Sequence, residues 1–217
     1  MEKETMLGRI IPILTQVPVE MLGTLLDLLN RLVGENGQKT WKNLKHLLRG
    51  EFEIKLPVLI RWFGTTTTPP TTEKFVPKDK FRKDSKEVKF YDFCGVFEED
   101  FLSGNGKTER PLGEQELRYG DLIKNSLDSS ILEELGGEKK AETTLTGLYD
   151  LLEKQAKGSP GVLLTNGDVN IFYIMNKRGV LCAVGVLWHS LGWLVHGSTV
   201  LSRDAWSAGY RVFSRNP

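Results

Sequence analysis

Between Val162 and Ser214 the chain carries five runs of β-branched and aromatic residues: Val162 to Leu164, Val169 to Met175, Val180 to Trp188, Trp193 to Leu201 and Tyr210 to Ser214. Turn formers part them, Asn166 with Gly167, then Asn176 to Gly179, then Ser190 to Gly192. Apolar runs of this length, punctuated by residues that reverse the backbone, fit paired strands. Connections this short join antiparallel neighbours, so the expectation is a C-terminal antiparallel meander. A sheet must cover its apolar face. The preceding segment, about Glu142 to Lys157, places Leu145, Leu148, Tyr149 and Leu152 at helical spacing and stops at Gly158 and Pro160, which suits a covering helix.

Upstream, Leu22, Leu25, Leu26, Leu29, Leu32 and Val33 follow the 3.6-residue period after Pro18, and Gly34 ends that pattern. A second helix is expected from Gln38 to Arg49, with Trp41, Leu44, Leu47 and Leu48 on one side and Lys39, Lys42, Lys45, His46 and Arg49 on the other. Phe52 to Phe63 reads equally as strand or helix. Gly64 to Thr72, with four threonines before Pro69 and Pro70, reads as an extended linker, continued by the basic segment up to residue 86. Val88 to Phe97 suggests a strand, Gly104 to Gly106 a turn, and Leu112 to Gly137 short helices. The expected fold class is therefore α+β: an N-terminal helical hairpin (1–63), a Thr/Pro-rich and basic linker (64–86), then helices packed on the C-terminal antiparallel sheet (87–217).

Function classes are narrowed more by charge than by motif. The net charge is +1, which gives no global attraction to nucleic acid or anionic membrane. Residues 90–160 nevertheless hold 15 acids against 8 bases, whereas residues 73–89 hold 7 bases against 4 acids. Gly179 to Ser202 lacks any charged residue, long enough for a bilayer span, but its histidines, serines and the alternation of Val184, Val186 and Trp188 favour strand over membrane helix. The N-terminus lacks a signal peptide's basic start and unbroken apolar core, and two cysteines far apart suit a reducing compartment, so a cytoplasmic location is expected.

Several blocks carry a resemblance: LNRLVGENG with Trp41 and LLRGEFE, SLDSSILEELGGEKKAETTL with LYDLLEKQAKG, and GVLLTNGDVNIFYI with WSAGYRVFSRNP. With these the chain resembles uncharacterised proteins of candidate-phyla bacteria, the ultra-small uncultured lineages. The resemblance covers most of the chain outside the Thr/Pro stretch. It implies a bacterial, intracellular protein and carries over no activity, cofactor or catalytic residue.

Candidate sites come from residue chemistry alone. Trp188, Trp193, Trp206 and Tyr210, with Phe172, Tyr173 and Phe213, gather in the final sheet, and any that are exposed would mark a protein-binding surface. That makes a non-enzymatic binding or interaction module the first reading. Lys39, Lys42, Lys45 and Arg49 form a face suited to phosphates, the nucleic-acid alternative. An enzyme built on Cys94 or Cys182 with a histidine is the third, decided by whether either thiol comes within hydrogen-bond reach of a histidine in a cleft. Cys182, His189 and His196 share a seven-residue spacing, but strands would put Cys182 and His189 on opposite faces and no fourth zinc ligand stands out. Glu133, Glu134, Glu138 and Glu142 read as a solvated helix end. GxGxxG and GxxxxGK[ST] are both lacking, so no nucleotide motif, cofactor or metal is expected.

Overall fold

A strand apolar on both faces belongs in the middle of a sheet covered on both sides, and Asn170–Met175 is such a strand. The structure, a computed structural model, describes residues 18–34, 37–48, 58–104 and 106–215. The chain divides into two units, residues 1–56 and 57–217. In the first, α1 (Val19–Val33) and α2 (Gly37–Leu48) are helical, and Gly34 accepts a bond from Gly37 N at 2.8 Å between them. Leu26, Leu29, Val33 and Trp41 are exposed.

The second unit contains β1 (Ile60–Thr68), a short helix α3 (Pro77–Lys80), β2 (Phe90–Gly95), a π-helical turn over Glu98–Leu102 and β3 (Gln115–Leu122). Then follow α4 (Asp128–Glu134), α5 (Glu138–Ala141), β4 (Glu142–Thr143) and α6 (Leu145–Lys154). Strands β5 (Asn170–Met175), β6 (Leu181–His189), β7 (Gly192–Thr199) and β8 (Arg211–Arg215) complete it. The strands lie in the order β1-β3-β8-β5-β6-β7-β2. Ile171 and Tyr173 of β5 join a core under α4 and α5, while Phe172 and Ile174 join the opposite core under α6.

This sheet corrects the expected antiparallel meander. The hairpins β5-β6 and β6-β7 are antiparallel, pairing Phe172 with Val184 and Val186 with Val195. β8, however, crosses back over two strands to lie parallel to β5, and β2 adds itself parallel to β7. β4 takes the rest of β5's flank, also in parallel, at Glu142↔Tyr173 and Thr143↔Ile174. The fold is thus a mixed sheet with both faces covered, and the strand-rich C-terminal third is only part of it.

The expected linker is likewise corrected. Thr65, Thr66, Thr67 and Thr68 pair with Arg118, Leu117, Glu116 and Gln115, so the threonine run is an edge strand and not a tether. Threonine is β-branched and tolerates a half-exposed edge, and the two prolines that follow lie beyond the ladder. Gln115–Leu122, expected to be helical, is the strand that joins β1 to β8. Val162–Leu164 forms no strand. No helix among the described residues is long and apolar enough to cross a membrane.

Candidate functional site

The connection from β7 to β8 passes over the α4 side of the sheet, and it brings Trp206 above the strands. Two backbone hydrogen bonds fix it there, Ser126 N to Trp206 O at 3.0 Å and Trp206 N to Ser126 O at 2.9 Å. β6 makes room with Gly185, whose missing Cβ would stand 2.9 Å from Val169 Cγ1 and 3.3 Å from Trp206 Cη2. The Trp206 indole then donates from Nε1 to Asp128 Oδ1 at 2.7 Å, and the Tyr173 hydroxyl donates to the same oxygen at 2.7 Å.

Asp128 is the unusual group here. It is 1% exposed, and no donor among the described residues reaches its Oδ2. Burial pushes its carboxyl above the usual carboxylate range, against the opposing pull of the Trp206 and Tyr173 bonds. The same burial, with Asp128 beside it, raises the Tyr173 hydroxyl well above the ordinary phenol range. A carboxyl with one saturated and one bare oxygen is costly whether charged or neutral, since each form leaves an unmatched donor or acceptor site.

Asp128 borders a cavity of about 250 Å³ whose wall also includes His196, Ser198, Asp204, Trp206 and Tyr210. Trp206 and Tyr210 meet edge to face at 6.3 Å, forming its aromatic side. Asp204 is exposed at the rim, where Ser202 Oγ donates to its Oδ2 at 3.3 Å. Among the described residues no lysine or arginine lines this cavity. Its wall is therefore acidic and aromatic, with one imidazole, His196.

His196 connects the cavity to a cysteine. The parallel β2-β7 pairing sets Cys94 opposite His196, and Sγ lies 3.5 Å from Nδ1. Geometry alone thus meets the condition set for a cysteine enzyme. The electrostatics oppose it: burial first, then Asp92 and Glu98, raise the Cys94 thiol above its ordinary value, the reverse of what an activated thiolate needs. Cys182 lies on the opposite face, is buried and is held up by burial and Asp100. Both cysteines are free thiols. His189 sits away from His196, stacked on Tyr91 at 4.7 Å. Among the described residues no group of three His, Cys, Asp or Glu side chains is arranged to hold a metal.

The other sequence candidates separate. Trp193 is fully buried and donates from Nε1 to Gln155 O at 3.1 Å, so it belongs to the core and not to a contact surface. Phe172, Tyr173 and Phe213 are also buried. Trp188 is half-buried against Trp193, and Trp206 and Tyr210 are half-buried in the cavity wall. On α2, Lys42 and Lys45 are exposed, and Lys45 Nζ stands 5.2 Å from the Trp41 ring centre. Nothing is described of the Lys39 side chain, and Arg49 lies outside the described residues. The structure therefore brings together Trp206 and Tyr210 from the original set, and it adds Asp128, Asp204 and Ser198.

Comparison with protein-family models, with curated proteins and with solved structures gives no match. The functional reading accordingly rests on the geometry.

Proposed function

We propose that this chain is a non-enzymatic binding module whose cavity at Asp128 receives a cationic hydrogen-bond donor, an ammonium or guanidinium group. The observation that carries this reading is the bare, buried Oδ2 of Asp128. A cation supplies the missing donor and offsets the charge that burial penalises. The remaining wall suits the same ligand, because Trp206 and Tyr210 offer π faces and edges, Asp204 adds a rim carboxylate and, among the described residues, no lysine or arginine competes. The ligand group is the same on a small amine and on a partner's lysine or arginine.

The test is titration of the ¹⁵N-labelled protein with n-butylammonium, with methylguanidinium and with a lysine-containing peptide. The Trp206 indole N–H, already bonded to Asp128, is the reporter. A saturable shift of that resonance, lost in Asp128→Asn, is expected. Asparagine keeps an acceptor for Trp206 and Tyr173 while removing the charge, so the fold is retained. If none of the three probes moves the Trp206 signal, or if Asp128→Asn binds equally well, the reading is wrong. Saturation by the peptide alone assigns the site to a protein partner.

A further inference from the structure

A second site lies on the other face of the sheet, where the sequence's basic segment meets Trp188. Three lysines converge there: Lys86 and Lys89 from the irregular segment leading into β2, and Lys157 from the turn after α6. With Ser85, Glu87 and Trp188 they line a pocket of about 330 Å³. All three are exposed, and none forms an ion pair among the described residues. The one carboxylate in the wall is already engaged, since Glu87 Oε2 accepts from Lys80 Nζ at 3.1 Å and from the Tyr149 hydroxyl at 3.0 Å.

The segments bearing these lysines are fixed by the backbone. Lys89 N donates to Ala156 O at 3.0 Å, and Lys89 O accepts from Trp193 N at 2.8 Å, so the residue is held between the end of α6 and the start of β7. The turn after Lys157 is set by Gly158, at φ +72°. Gly158 lies flat on the Trp188 indole, and any side chain there would start 2.1 Å from its Cε2. At the end of α6, Ala156 O takes Lys89 N, and Gln155 O takes Gly158 N and the Trp193 indole. The result is three ammonium groups without ion pairs among the described residues, set around the half-buried Trp188 indole, one face of which Gly158 covers.

We infer that this pocket binds a nucleoside phosphate, with the phosphates held by Lys86, Lys89 and Lys157 and the base lying against Trp188. Ammonium groups on flexible stems recognise phosphate as point charges, and the indole face opposite Gly158 would accept any base by stacking. A volume of about 330 Å³ is that of a small-ligand site and more than a lone phosphate fills. The sequence carries no Gly-rich phosphate loop, so the lysines and not backbone amides supply the contacts. This inference is independent of the Asp128 cavity.

The experiment is a titration of the full chain with adenosine triphosphate, adenosine and inorganic tripolyphosphate, read by calorimetry and by the Trp188 indole N–H resonance. Adenosine triphosphate is expected to saturate the site and move the Trp188 signal, with adenosine and tripolyphosphate each weaker by about tenfold or more. The pair Lys86→Gln with Lys157→Gln, both exposed and without side-chain bonds among the described residues, should weaken the nucleotide by about tenfold while leaving circular dichroism unchanged. Binding should also fall as salt rises. Equal binding of tripolyphosphate and adenosine triphosphate would overturn the nucleotide assignment. An unchanged affinity in the double variant, or no binding by wild type, would overturn the site itself. A strand form of the ligand is separated by a single-stranded oligoadenylate arm: tighter binding than the mononucleotide, carried by the same lysines, assigns the phosphates to a nucleic acid.

Discussion

At Asp128 a carboxyl is buried at the cavity wall, and among the described residues donors reach only one of its oxygens. Its folded-state pKa therefore lies above that of the unfolded chain, with burial as the main cause. The sign follows from linkage: in the interval between the two values the folded state holds more protons than the unfolded one, so stability is lost as pH rises through that interval. The stabilising state is the protonated one, present below the ordinary carboxylate range. Asp128→Asn removes this component. Its stability relative to wild type should increase as pH is raised from about 4 to about 8, a range that starts near the ordinary aspartate value, as followed by urea melts at fixed salt. A difference that stays flat or falls with pH would show that Asp128 carries no burial penalty. The same residue shows why the site was hard to read in the sequence. Asp128 sits in SLDSS with no local motif, and its two donors lie 45 and 78 residues away. Trp206 and Tyr210 were legible as aromatic candidates, but only the β7-to-β8 crossing places them beside that acid.

Among the elements, α6 was the clearest in the sequence, and its N-terminus shows how much a helix owes to residues outside it. Thr144 Oγ1 accepts from Gly147 N at 3.0 Å. The two preceding amides are satisfied from afar, since Glu109 Oε1 accepts from Leu145 N at 3.0 Å and Oε2 from Thr146 N at 2.8 Å. The Thr146 hydroxyl donates to the same Oε2 at 2.6 Å, and Lys107 Nζ lies 3.1 Å from Oε1. A charge at a helix N-terminus is favourable, and one stripped of its buried partner is costly. Glu109→Ala should therefore cost about 3–5 kcal/mol, because it frees two amides and the Thr146 hydroxyl and leaves Lys107 with the Met175 carbonyl but without its carboxylate. Chemical denaturation with an unchanged m value would check this, and a loss below about 1 kcal/mol would mean that the amides find other acceptors. By contrast β1 and β3 were hidden. A run of threonines before two prolines resembles a tether, and Leu117, Leu122 and Ile123 fit helical spacing. Only the ladder from Ile60↔Leu122 to Thr68↔Gln115 reveals two strands.

The whole sheet is held by pairings between distant parts of the chain. β2 meets β7 at Cys94↔His196, and β3 meets β8 at Tyr119↔Phe213, whereas only β5-β6 and β6-β7 close through short turns. Those two hairpins were legible because alternation and turn residues are local signals. The parallel pairings β2-β7 and β5-β8 leave no such trace, because their register is decided by which cores the two faces must fill. This topology also has a kinetic consequence. Loop closure across such separations must precede most of the reward from pairing, so folding is slow for the chain's size. Refolding from urea, followed by stopped-flow tryptophan fluorescence, should place the main phase between milliseconds and seconds. Trp193 is the natural reporter, being fully buried at the start of β7 with its indole N–H on Gln155 O. Val212→Ala, which thins the core where β8 joins β5 and β3, should lower stability by about 1–3 kcal/mol through the cavity it leaves. If β8 docks late, that loss appears as faster unfolding with little change in the folding rate. A microsecond phase carrying the full native signal would instead show that local hairpins alone set the rate.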